Sequence, residues 1–469
     1  DPLVSKPTEE KDDKDATFHD DVIDIVKLGV PLFISMLSWV GMKTTDTALL
    51  GHVSAEALAA SALSDLWTMC SATLIMGRVL NILIGSAVGA GNPKLGGIYL
   101  QVAYVVVFSI AIFVVILWNI TKQFWLFFGS AYQVSADAGY YARILSISIP
   151  GLILFSQLSQ YFSAQRIMHP EVTASSIALG MNLILGLTLV LGFPIPGFNG
   201  YGFVACPIVT TAVVYVQLIV MVVDAIYIER LHVACWGGWS WKEITWHRIH
   251  TFSALYFPSA LGLASDFWRV AVIGAVAAKL GTIEVAVFNT SYRIMWMTLI
   301  VVNSLSMASS IKMSMRFGAM NWMGARQAGH AGLGMCFLVL IVICLALVFH
   351  IRLFGQIFTS DPAFLDLFAA ARVPFTVTLF LMNLSIALEK IPYSMGRTTE
   401  VFWMGLIASW GGQVPGVILL TTYWKNDLYG LYSGMAVGYF VCCVLYAIIA
   451  FTSDWKYYAQ KAKERAETE

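Results

Sequence analysis

Two carboxylates stand inside apolar runs where water does not reach by default. Asp266 lies in the run at about 251–278, roughly fifteen residues in and so roughly 22 Å along a helix rising about 1.5 Å per residue. A bilayer-spanning helix needs about 20 residues, which puts this acid near mid-membrane. An ionised group there costs roughly 3 kcal/mol on insertion scales. A chain keeps it when it is paired, faces water or takes up protons. On a helix, Asp266 shares a face with Ser259, Gly262 and Arg269, and such a small, polar stripe faces protein or water rather than lipid. Two chemistries fit: a proton bound from one side and released to the other, or a fixed ion pair with Arg269. Asp46 repeats the arrangement in the outer half of the first run, with Lys43 three residues earlier and Ser35, Trp39 and Met42 on or near the same face. It reads equally as a coupling-ion site or as a charge that is paired to Lys43 or lies near the membrane interface.

Further polar groups interrupt other runs. Asn289, Arg293, Trp296 and Ile300 share one face, which Asn303 extends. Arg293 suits a partner for Asp266, a contact for an anionic solute, or a donor to backbone carbonyls. Asn182 suits polar lining. Lys390 faces either a cavity, beside Asn383 and Ser394, or solvent at a helix end; Glu389, its neighbour in sequence, points away from it. Arg78 and Asn81 share a helix face and read as structural, with Asp65 about 220° away around the same helix. Trp39, Trp67, Phe267, Trp268 and Trp296 suit a pocket for aromatic or cationic solutes, or packing and interfacial belts. Gly430, Gly434 and Gly438 form a four-spaced ladder for close helix contact. The seven cysteines include no CxxC and read as packed thiols. The sequence holds no phosphate-binding loop, zinc-binding helix motif or nucleophile elbow, and its eight histidines form no motif. That argues against an ATP-driven pump and against a hydrolase.

The elements that must hold these groups follow from composition. Of 469 residues, 58% are apolar and 12% charged, against about 25% charged in a soluble domain. This is an all-α polytopic membrane protein. Apolar runs fall at about 24–50, 61–88, 97–121, 136–164, 170–194, 201–227, 250–279, 285–313, 327–352, 365–391, 399–423 and 429–452, which predicts twelve spans. They are continuous rather than alternating, so a β-barrel is excluded. Residues 1–20 are polar and charge-mixed and read as a disordered tail. The segment 228–249, rich in Trp, Lys, His and Arg, suits a cytosolic linker with a short interfacial helix between lobes at 21–227 and 250–452. Residues 453–469 form a charged tail. With the N-terminus inside, the inner connections and the tail hold roughly 14 Lys and Arg, Lys312 and Arg316 among them, against about five outside. Both termini are therefore expected in the cytosol. A net charge of zero gives no sign of nucleic-acid binding.

The halves echo each other. Gly89-Ala90 recurs as Gly318-Ala319, and Glu171-Val172 recurs at the same offset as Glu400-Val401. Pro31 and Pro258 are separated by nearly that offset again. Six helices per half run in the same sense, so the lobes would be related by a pseudo-two-fold axis along the membrane normal, with a cavity at their interface.

These segments resemble those of the multidrug and toxic compound extrusion (MATE) transporters over nearly all of 21–452. The stretch from Thr45 to Ala60 is similar to the family's end of helix one and following loop. Gly85-Ser86-Ala87-Val88-Gly89-Ala90-Gly91-Asn92 resembles its small-residue turn. Phe162-Ser163-Ala164-Gln165 with Pro170 resembles its "QAQ…P" motif. Pro258-Ser259-Ala260 with an acid eight residues after the proline resembles helix seven of eukaryotic members. The resemblance implies twelve helices in two lobes, alternating access, and export of organic solutes against entry of a proton or sometimes sodium, with no other cofactor. Eukaryotic relatives usually carry Glu where this chain has Asp266, and Asp46 matches an acid typical of prokaryotic members. Asp266 is therefore the expected coupling residue, with Asp46 second. The expected cavity lining is Arg269, Arg293, Asn289, Trp39, Lys43, Asn182, Lys390 and Asn383. We expect a monomer in contact with lipid, in the plasma membrane or an organellar membrane. Its cargo is a small organic solute: an organic cation, or alternatively a phenolic or carboxylate anion. A flippase for a lipid-linked solute is the further alternative.

Overall fold

The computed structural model describes residues 17–231, 233 and 236–468. Most of the polar N-terminal tail, residues 1–16, and Cys235 lie outside them. All regular structure among the described residues is helical. Among the described residues, eleven helices are long and apolar enough to cross a membrane: Phe18–Val53, Ala55–Gly89, Pro93–Asn119, His169–Val190, Gly202–Ile228, Trp246–Leu280, Thr282–Gly318, Trp322–Gln356, Arg372–Ser394, Thr398–Trp424 and Leu428–Thr452. The pair Tyr132–Ser146 and Ile149–Ser163, bent by 50°, makes a twelfth crossing when taken as one span. Each helix coincides with a predicted apolar run. The chain is an all-helical membrane protein, as its composition requires.

Local chemistry sets the helix ends. Ser54 alone separates the first two spans, and its hydroxyl accepts from Ala57 N–H to cap the second. Asn321, Asp361 and Asp427 cap later helices in the same way. The second span is not one continuous helix. It narrows to a tighter turn at Thr73–Ile75 and is irregular to residue 79. The freed carbonyls find donors: Tyr256 Oη donates to Leu74 O at 3.0 Å and Gln160 Nε2 to Gly77 O at 3.4 Å. Arg78 lies in this break, so the expected helical face shared by Arg78 and Asn81 is not formed. An irregular backbone in an apolar span persists only where protein satisfies it.

By contact density the described chain divides into two compact units. One comprises 17–30, 85–92 and 272–468, the other 31–84 and 93–271. In the first, Gly434 and Gly438 bring the last span onto Val417 and Gln413, where any Cβ would collide; the glycine ladder is a packing device, as expected. The same unit holds the turn after the second span. A Cβ on Gly89 would strike the Met315 carbonyl, and one on Gly318 would strike the Ser86 carbonyl. The step from Ser86 to Met315 equals the step from Gly89 to Gly318, so the contact is reciprocal, as a two-fold repeat requires. The six described cysteines are free thiols. Between Ser240 and Trp246, the linker contains one short turn, Trp241–Glu243, before the next long helix begins at Trp246.

Candidate functional site: a buried carboxylate held by neutral donors

The unit containing 31–84 and 93–271 buries Asp46, which is 4% exposed. The cluster beside it is apolar: Met42, Ala178, Val209 and Val213, with Trp39 and Leu179 packed against them. Three spans meet at the carboxylate. Asn182, from the fifth span and fully buried, donates through Nδ2 to Asp46 Oδ1 at 3.0 Å. Thr210, from the sixth span, donates to Asp46 Oδ2 at 2.9 Å. The Thr210 hydroxyl also lies 3.1 Å from the Cys206 carbonyl, so its single proton has two acceptors within reach. The Asn182 Oδ1 atom is buried with no hydrogen-bond partner among the described residues.

Lys43 does not close an ion pair with Asp46. Its Nζ sits 3.0 Å from Asp65 Oδ1, both side chains partly exposed. The pairing of Asp46 with Lys43 that the spacing allows is thus replaced by a pair between the first and second spans. The reason is geometric: Asp46 points at the fifth and sixth helices, and Lys43 at the second.

Asp266 stands apart from this cluster. Its Oδ1 is 3.2 Å from Arg269 Nη2, within one helix, and its side chain is 53% exposed while that of Arg269 is 9% exposed. The expected i, i+3 pair forms, with the guanidinium side buried and the carboxylate side exposed. Asn289 and Arg293 are exposed on the helix Thr282–Gly318. Asn383 is fully buried and donates to Leu379 O at 2.8 Å within its own helix. Lys390 Nζ lies 3.9 Å from Glu389 Oε1 and over the Tyr393 ring at 5.3 Å. The expectation that Lys390 and Glu389 point apart is corrected here: their Cβ atoms diverge, but two long side chains reach back to each other. Of the expected lining residues, the structure brings Asn182 to Asp46 and packs Trp39 against the apolar cluster beside it. Asn383 and Lys390 serve their own helix and neighbours.

Sequence reasoning missed Thr210 and Cys206. The signal was present as a polar pair, Thr210-Thr211, in the middle of an otherwise apolar run. The same reasoning counted Lys312 and Arg316 among the charges of the cytosolic connections. Both are buried in the other unit. Arg316 grips Asp21 with two bonds of 2.9 and 2.7 Å, and Lys312 reaches Asp21 and Asp24 at 2.8 and 2.6 Å. Their charge is neutralised internally.

The fold defines a multi-pass, all-helical membrane protein. The MatE family model matches residues 31–188 and 258–418, two segments whose starts coincide with Pro31 and Pro258 and so keep step with the internal repeat. The chain belongs to the MatE family, whose members are transporters rather than enzymes; it is a multidrug and toxin extrusion transporter by family. Among its relatives, an uncharacterized transporter of Schizosaccharomyces pombe is 24% identical over 455 residues, covering 94% of this chain and 82% of the relative. The multidrug and toxin extrusion protein 1 of Xenopus tropicalis is 24% identical, covering 94% of this chain and 76% of that protein. The crystal structure of the eukaryotic MATE transporter AtDTX14 shares the fold with a TM-score of 0.85 at 21% identity, over 96% of this chain and 99% of that one.

Proposed function

We propose that this protein is a secondary active exporter of small organic solutes, driven by cation entry, and that Asp46 is the group that binds the coupling proton. The observation that carries this reading is the pair of neutral donors on Asp46. A buried carboxylate that serves one charge state only is met by a cation. One that changes charge needs partners that serve both states. The Thr210 hydroxyl does so. With Asp46 ionised it donates to Oδ2. With Asp46 protonated it turns its proton to the Cys206 carbonyl and accepts the new O–H. Asn182 Nδ2 donates to Oδ1 in both states, since that oxygen stays an acceptor when the proton sits on Oδ2. Neither state leaves a buried polar atom of Asp46 stranded.

In this reading Asp266 with Arg269 is a second ionisable pair, its exposed carboxylate suited to meeting cargo. Two six-helix lobes at 21–227 and 250–452 alternate access, with both termini in the cytosol and the monomer as the working unit. A membrane potential contributes about 2.3 kcal/mol per charge per 100 mV. Sodium is the alternative coupling ion, held by the same oxygens. The balance of buried-looking acids and bases leaves organic cations first and organic anions second as cargo.

The test is substrate-dependent proton flux in proteoliposomes, screened over cationic and anionic solutes, with a sodium gradient as a separate arm. Asp46→Asn is expected to keep its fold in detergent and to cut gradient-driven flux by about tenfold or more, the size of one lost protonation step. Asp266→Asn is expected to alter solute affinity more than coupling. Normal pH-dependent flux in Asp46→Asn would overturn the assignment.

A further inference from the structure

Away from Asp46, at the other end of the fifth and sixth spans, three metal-ligating side chains converge. His169 is the first residue of the helix His169–Leu185. Asp224 sits in the widened helical turn Val223–Ile228 that follows Ala205–Val222, and Glu229 comes directly after it. Glu229 N–H donates to the Asp224 carbonyl at 2.9 Å, which fixes the two acids relative to each other. His169 Nδ1 lies 3.4 Å from Asp224 Oδ2 and 3.3 Å from Glu229 Oε1, and the three donor atoms all fall within 4.8 Å of one another.

A second observation points to a ligand. Asp224 is 8% exposed, and its Oδ2, the atom aimed at His169, is buried and receives no hydrogen bond from the described residues. A buried carboxylate oxygen with no donor is costly unless something else meets it. An ion pair with a protonated His169 is the simplest alternative, but it leaves that oxygen without a hydrogen bond.

We propose that His169, Asp224 and Glu229 form a site for zinc or a closely similar divalent cation. Zinc takes imidazole nitrogen and carboxylate oxygen at about 2.0–2.2 Å in a tetrahedron, whose ligand atoms then sit about 3.4 Å apart. The observed spacings of 3.4 and 3.3 Å match. An imidazole among the ligands favours zinc over magnesium and calcium, which prefer all-oxygen shells. The His169 side chain is largely exposed and that of Glu229 partly so, so the ion has an entry path and a place for water as fourth ligand. A bound ion would tie the start of the fifth span to the end of the sixth, where the chain enters the segment joining the two halves. This proposal is independent of the coupling mechanism.

The experiment uses the full-length protein in detergent, stripped with chelator and then titrated by calorimetry with zinc chloride and, separately, magnesium chloride. One zinc per chain beyond any background is expected, with no magnesium binding at the same concentration. His169→Ala and Glu229→Gln change surface side chains and leave the buried Asp224 in place. His169→Ala is expected to weaken zinc binding at least about tenfold, and Glu229→Gln less. Cobalt chloride supplies a second readout: the ligand-field absorption of a four-coordinate N/O site, absent in His169→Ala. An identical zinc isotherm in wild type and His169→Ala, or no zinc uptake by wild type, would overturn the proposal.

Discussion

Two aspartates, each buried in its own unit, are treated in opposite ways. Asp21 is fully buried and meets four donors: two from Arg316, one from Lys312 and one from Gln327 Nε2 at 3.0 Å. Its charge is matched by cations on the spot. Asp46 is nearly as buried and is held by an amide and a hydroxyl. Burial alone therefore says little about what an acid does. What separates a structural carboxylate from a working one is whether its partners permit a change of charge. Asp21 is locked because losing its charge would strand the buried Arg316, while Lys312 would keep only Asp24. Asp46 has no such penalty at its oxygens.

The contrast breaks most violently at Arg316. Arg316→Met should destabilise the protein by about 2–3 kcal/mol, because Asp21 loses its two-bond cation and keeps only Lys312 and Gln327. Thermal unfolding in detergent measures it, and a neutral Asp21→Asn partner substitution should recover part of the loss. Thr210→Val comes next. It removes one donor from Asp46 Oδ2 and one acceptor for a protonated Asp46, costing about 1–3 kcal/mol and displacing the pH profile of solute flux. A Thr210→Val protein with an unchanged profile would make Asp46 as inert as Asp21. Lys43→Met should have the smallest effect. Its pair with Asp65 is partly exposed on both sides, so at most about 1 kcal/mol is at stake, with flux largely preserved.

The sequence carries the spans and the repeat, because these are properties of one stretch of chain at a time. Trp39, Met42 and Asp46 share a helix face by spacing, and the structure keeps Trp39 and Met42 in the cluster beside the acid. Partner choice is different. Lys43 is three residues from Asp46 yet serves Asp65 on the next span, since helix packing rather than spacing decides which side chains meet. Lys312 and Arg316 look like loop charges because their partners, Asp21 and Asp24, stand at the far end of the chain, next to a polar tail. The irregular stretch at 73–79 was invisible for a related reason: its residues are as apolar as a helix, and the donors that make the break tolerable, Tyr256 and Gln160, are distant in sequence.

Where Gly89 and Gly318 meet the Met315 and Ser86 backbones, neither glycine puts a side chain into the contact, and the chains approach peptide to peptide. Interlocked side chains act as teeth, and sliding past them means lifting each out of its notch. Bare peptide surfaces have no teeth. The crossing at these glycines is thus a smooth bearing, and a single added methyl group at Gly89 would jam it as surely as it would wedge it open.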